Sequence, residues 1–191
     1  MRGCNEYRIR MAQNTDGRVI YVGSLSKSVF PGLRLGYMVA PKSLIQQARA
    51  LRHLILRHPP GHAQRTLAYF MALGHYDAQI RRLRRHLAER RRVLQSAIDA
   101  EGLFSHSASH FGGTSFWVSG PDWLDSRILA KRAMKHGVLI EAGDVFFDAE
   151  APLLNYFRLS YSAISSERIP EGVGRLAAVM RRLKPEWANQ T

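Results

Sequence analysis

The sequence has 191 residues, 46% of them hydrophobic, and a formal net charge of +13 set by 28 basic against 15 acidic residues. That length and apolar share suffice for one domain or two small ones with a sizeable core, while no apolar run nears the ~20 residues of a membrane-spanning helix. A lone cysteine, Cys4, excludes an internal disulfide framework, and MRGCNEYRIR lacks the apolar stretch of a secretory leader, so the cytosol is the expected location.

In chain order, Asn14–Arg18 (NTDGR) reads as a turn and Val19–Gly23 (VIYVG) as a short buried strand. SLSKSVFPG is a loop closed by Pro31-Gly32, and LRLGYMVAP is a second strand ending at Pro41. Together they form a hairpin-like unit with Lys27 in its loop. A helix is predicted over Lys42–Arg57, broken by His58–His62 (HPPGH), and another over about Ala63–Leu73. A long arginine-rich helix follows over Asp77–Glu101 and stops at Gly102. On it Ile80, Leu83, Leu87, Leu94 and Ile98 recur at helical spacing. The arginines of Arg81–Arg92 (RRLRRHLAERRR) fall largely off that stripe. Without interleaved aromatics they read as a solvated face rather than a nucleic-acid surface.

Beyond Gly102 the pattern changes. Gly112–Pro121 reads as a strand between glycines, WLDSRILAKRAMKHG as a helix stopped by Gly137, and Val138–Gly143 as a strand. Asn155–Ser162 alternates Phe157, Leu159 and Tyr161 against Arg158 and Ser160, the mark of a half-buried strand. A terminal helix follows, capped by Ser165 or Ser166, with Ile169, Val173, Leu176 and Val179 or Met180 as its stripe. The order β-α-β-β-α describes a compact α/β lobe.

The lysine loop carries the sharpest chemical signal. An amine becomes a Schiff-base former when desolvation or cationic neighbours lower its pKa, and Lys27 follows a strand expected to be buried. Ser24 and Ser26 offer hydroxyls, and Arg34 a guanidinium able to fold back. That donor set suits a phosphate monoester, and an aldehyde with a phosphate tail is pyridoxal 5'-phosphate. On the residues alone, a chance Ser-x-Ser-Lys beside an ordinary Pro-Gly turn stays open as the other reading.

SLSKSVFPGLRLGY resembles the cofactor-lysine segment of the aspartate-aminotransferase superfamily of pyridoxal-phosphate enzymes. GHYDAQIRRLRRHLAERRRVL (Gly74–Leu94) and NYFRLSYSAISSERIPEGVGRL (Asn155–Leu176) are similar to the long helix and the C-terminal strand and helix of two branches of it. These are the aminotransferase domains of MocR-type, GntR-family regulators and the aminoadipate-type aminotransferases. The resemblance implies an α/β fold: the C-terminal part of the large domain, with its lysine hairpin, and a complete small domain. Residues 1–75 would be the large-domain remnant with the start of the connecting helices, and 76–191 the long connecting helix and small domain.

It further implies that Lys27 binds the cofactor and shuttles the substrate's α-proton, and that Ser24, Ser26 and Arg34 hold the phosphate. Arg158, in the Asn-x-x-Arg-Leu pattern, would take the substrate α-carboxylate. A planar donor on an alternating strand suits that role, and a structural salt bridge is the other reading of the same residue. Tyr37 and Tyr161 read as packing residues. The family's aspartate and tyrosine upstream of the segment like MRGCNEYRIR have no counterpart here, Glu6 coming too late in the pattern. The chain therefore reads as the C-terminal half of an aminotransferase domain: a truncated gene, a fragment with a partner chain, or a relic.

The implied parent moves an amino group between an amino acid and a 2-oxo acid as a homodimer. The alternative parent is a regulator that senses an effector, with DNA bound only through a winged-helix domain to which nothing here corresponds. A basic, non-catalytic interaction domain is a third reading. No membrane role is expected. The eight histidines include His58 and His62, four apart, but Pro59-Pro60-Gly61 prevents a shared helical face and no metal site is expected. Asp144 and Asp148 read as loop residues.

Overall fold

A computed structural model describes residues 18–102, 105–106, 113–148 and 153–188. Cys4, Glu6 and nearly all of the turn expected at Asn14–Arg18 lie outside them. The chain forms two compact units that divide between Leu83 and Arg84.

The first unit begins with a hairpin. Strands β1 (Tyr21–Ser24) and β2 (Gly36–Val39) pair antiparallel, with Tyr21 opposite Val39 and Ser24 opposite Gly36. The expected buried strand is not buried: Val22 is 72% exposed. A two-stranded ribbon has too few neighbours to enclose either strand. Helix α1 (Lys42–Leu56) follows Pro41, and α2 (Gly61–Ala72) starts directly after Pro60, two residues earlier than its apolar pattern indicates. Pro60 cannot join a helix interior but readily precedes one. Neither helix buries a residue, and Leu51, Leu54 and Ile55 form an exposed stripe on α1.

Helix α3 (His75–Glu101) ends where expected. Gly102 takes φ +62, a left-handed conformation that glycine adopts at least cost, and its N–H closes the last turn on Ile98 O at 3.3 Å. Leu94 and Ile98 of the predicted stripe enter the core of the second unit, with Leu87 packed against it. The arginines are not simply a solvated face. Arg90 donates to Ser162 O at 2.6 Å, and the Arg91 guanidinium lies 5.5 Å from the Phe116 ring.

The second unit adds β3 (Ser105–His106), β4 (Ser115–Ser119), α4 (Ser126–Lys135), β5 (Glu141–Ala142), β6 (Tyr156–Ser160) and α5 (Ile169–Ala188). The sheet order is β3-β4-β6-β5, antiparallel throughout. β3 has no counterpart in the expected order, since two residues are too few to carry a period. Phe116, Val118, Phe157 and Leu159 alternate onto one face and meet Leu129 of α4 and Ile169, Val173, Leu176 and Met180 of α5. Tyr161 joins them, its hydroxyl donating to Gly113 O at 2.9 Å. Among the described residues, no helix is long and apolar enough to cross a membrane.

The helix starts differ from expectation. Ser165 holds the N-cap position of a one-turn 3₁₀ helix (Ser166–Arg168) that leads into α5, without a side-chain hydrogen bond. On α4, for which no cap was expected, Asp125 is the N-cap, accepting from Arg127 N at 2.9 Å and from the Arg127 guanidinium at 2.6 Å. The side-chain bond from Arg127 holds the Asp125 carboxyl below the ordinary aspartate range, against partial burial. A depressed pKa stabilises the fold above the ordinary range, and that contribution is lost as pH falls through the folded-state value. Asp125→Ala should therefore cost roughly 1 kcal/mol near neutral pH. The difference from the parent should shrink in acid, as urea denaturation of both proteins at the two pH values would show.

Candidate functional site

The lysine loop is built on one carbonyl. Leu25 O accepts from Ser28 N at 3.2 Å, Ser28 Oγ at 3.2 Å and Val29 N at 2.9 Å. Leu25 N continues the hairpin ladder to Leu35 O at 3.0 Å. Leu25 and Leu33 are buried and tie the loop down at both ends. Lys27 rides the crest of the resulting turn and is exposed, so the desolvation expected for it is not found in the described chain. The cause is the open ribbon beneath it. Ser24 and Ser26 are brought together, Ser26 N donating to Ser24 Oγ at 3.4 Å. Pro31–Leu33 forms a single 3₁₀ turn, and Arg34 follows at φ 49, ψ 32. Among the described residues, no hydrogen bond or ion pair engages the side chains of Lys27 or Arg34, and neither is bonded to the serines.

The hairpin beneath the loop is tightly built. A Cβ on Gly36 would meet Gly23 O at 2.7 Å, so the two backbones approach as only glycine allows. The Tyr37 ring covers Gly23 and lies 5.8 Å from the Tyr21 ring. Burial, then the hydrogen bond and charge of Tyr21 and the charge of Tyr76, push the Tyr37 phenol up to about 12.

Arg158 belongs to the second unit. It stands on β6 opposite Trp117 of β4 and Glu141 of β5. It pairs with the Glu141 carboxylate, and its guanidinium lies 5.2 Å from the Phe146 ring. Its Nε is buried without a hydrogen-bond partner among the described residues. Trp117 stacks on Tyr156 at 5.7 Å and meets Phe146 edge-on at 5.5 Å, giving this face of the sheet an aromatic floor. Sequence reading missed Glu141 and Phe146. No spacing rule links them to Arg158; the strand register alone does.

The family model described as aminotransferase class I and II matches residues 2–176. The HTH-type transcriptional regulator TauR of Rhodobacter capsulatus is 51% identical over 165 residues, covering 86% of this chain and 34% of its own. The 2-aminoadipate transaminase of Thermus thermophilus is 31% identical over 166 residues, covering 86% of this chain and 41% of its own. The crystal structure of LysN, the α-aminoadipate aminotransferase of Thermus thermophilus, complexed with N-(5'-phosphopyridoxyl)-L-leucine, superposes with a TM-score of 0.83 at 29% identity. It covers 92% of this chain and 45% of that one. The chain spans between 34% and 41% of the length of these two curated relatives.

Two outcomes follow from the geometry. The Arg158–Glu141 side chains are 42% and 47% exposed, so a double-mutant cycle with Arg158→Ala and Glu141→Ala should give a coupling of only about 0.2–1 kcal/mol. Tyr37 should ionise near pH 12, so the alkaline absorbance titration of the chain should lose that late step in Tyr37→Phe. A raised pKa stabilises the fold fully below the ordinary phenol value, and the contribution is lost as pH rises towards 12.

Proposed function

This chain belongs to the aminotransferase class I and II family, and from that premise we propose that it is the lysine-hairpin and small-domain part of a pyridoxal-phosphate-binding domain. In this reading residues 1–75 belong to the large domain, and 76–191 to the connecting helix and small domain. The observation that carries the reading is the loop itself. One amine, two hydroxyls and one guanidinium stand on a single tied-down segment, with Lys27 and Arg34 unengaged by the described residues. That is the donor set an aldehyde with a phosphate tail requires. When bound, the cofactor supplies an electron sink for the substrate's α-carbon.

The chain's own residues do the rest. Lys27 Nζ holds the cofactor and moves the α-proton. Ser24 Oγ and Ser26 Oγ donate to the phosphate, and Arg34 supplies its counter-charge. Arg158 takes the carboxylate of an amino acid or 2-oxo acid. Because Glu141 occupies that guanidinium, an incoming carboxylate has to take its place, while Phe146 keeps the guanidinium plane oriented.

The domain serves as the effector-sensing part of a regulator that dimerises and reaches DNA through a separate helix-turn-helix domain. The 51% identity to TauR, against 31% to the transaminase, supports this. A stand-alone aminotransferase is the second reading, favoured by the likeness to LysN. The reading frame upstream of residue 1 separates them: a winged helix there supports the regulator, and an aminotransferase start without one supports the enzyme.

The site is tested by adding pyridoxal 5'-phosphate to the purified chain, reducing with borohydride and mapping the adduct by peptide mass spectrometry. The adduct is expected on Lys27 and should vanish in Lys27→Ala. Arg34→Ala should weaken uptake about tenfold, the loss of one charge-assisted hydrogen bond. Equal labelling of Lys27→Ala would overturn the assignment.

A further inference from the structure

The second unit contains a cavity of about 340 Å³ that the reading above does not use. Its apolar walls include Leu94 of α3, Leu139 after α4, Leu159 of β6, and Ile169 and Val173 of α5. Leu159 and Arg158 are successive strand residues and point to opposite faces of the sheet, so this wall is on the helical side, away from the Arg158 guanidinium. The volume is at the low end of small-molecule sites, which run from about 300 to 1,000 Å³.

The charged groups at the cavity are exposed and so form its mouth. They are Arg168, Glu171 and Arg175. Arg175 Nη2 bonds Glu171 Oε1 at 2.6 Å, which neutralises both. Arg168 is held by its backbone, N to Ser165 O at 3.2 Å, in the 3₁₀ turn before α5. No ion pair or side-chain hydrogen bond engages its guanidinium among the described residues. The mouth therefore presents one uncompensated positive charge over an apolar interior. Leu139 on the wall is 80% exposed, so apolar surface is available to an occupant.

We propose that this cavity is a binding site for a small amphiphilic carboxylate, its apolar body inside and its carboxylate on Arg168. Charge complementarity selects a monoanion. The walls reward an apolar body at about 25 cal/mol per Å² covered. No amino group is called for, because the acid at the mouth, Glu171, is already held by Arg175. The occupant thus differs in class from an amino acid, and the inference stands whether or not Lys27 binds a cofactor.

The test uses 4-phenylbutyrate as probe against the purified chain, by calorimetric titration and amide NMR. Saturable binding is expected, with shifts at the start of α5 and around Leu139 rather than in the Ser24–Arg34 loop. The uncharged 4-phenylbutyramide should bind about tenfold more weakly, and Arg168→Ala should weaken 4-phenylbutyrate by a similar factor. Gly172 lines the cavity and has open space where a side chain would begin. Gly172→Leu should therefore keep the fold, since leucine favours a helix more than glycine, and should block the probe. A circular dichroism spectrum matching the parent would establish that the variant is folded. Absence of saturable binding, equal affinity for the amide and in Arg168→Ala, full binding by folded Gly172→Leu, or shifts confined to the Ser24–Arg34 loop would each overturn the proposal.

Discussion

The register between β4 and β6 is the constraint on which the second unit depends. It sets Phe116 opposite Leu159 and Val118 opposite Phe157, all on the helical face, and so sets Trp117 opposite Arg158 on the other. A slip of one residue would exchange the two faces. Burying each of these large side chains contributes roughly 1.5–3 kcal/mol. An exposed ion pair such as Arg158–Glu141 contributes at most about 1 kcal/mol. The core therefore places the arginine, and the ion pair follows from that placement. The Arg158 guanidinium can be freed from Glu141 without endangering the strand that carries it.

The first unit is organised differently. Its ribbon encloses little, and α1 and α2 contribute no buried side chain. What holds the lysine loop is local: two buried leucines, one carbonyl accepting from three donors, and a pair of glycines that bring the strands together. The loop thus keeps its form without a deep core beneath it, while Ser24 and Ser28 make bonds within it and the side chains of Lys27 and Arg34 make none among the described residues.

Much of this was legible beforehand. The element order from β1 to α5 apart from β3, the stripe ending in Leu94 and Ile98, the stop at Gly102 and the alternation around Arg158 all follow from apolar period and breakers. The family motifs and the α/β fold class they imply agree with the family match and the structural likeness to LysN. The parts that could not be read depend on distant partners. Burial of β1 was inferred from its own composition, yet burial is decided by what lies beside a strand. Glu141 and Arg158 are joined by register alone, and β3 is shorter than any period. The capping of the terminal helix failed for a local reason, a 3₁₀ turn taking up Ser166–Arg168 before the helix begins.

Arg34 sits in a backbone region that residues other than glycine seldom occupy, at a cost of order 1 kcal/mol or more. Leu33 is buried on one side and Leu35 O is held by Leu25 N on the other, so a side chain in this backbone conformation departs in one direction, whatever its head group. Loop shape and cationic chemistry are therefore separable: lysine would keep the direction and the charge but lose the planar fork, and glycine would ease the backbone while abandoning both.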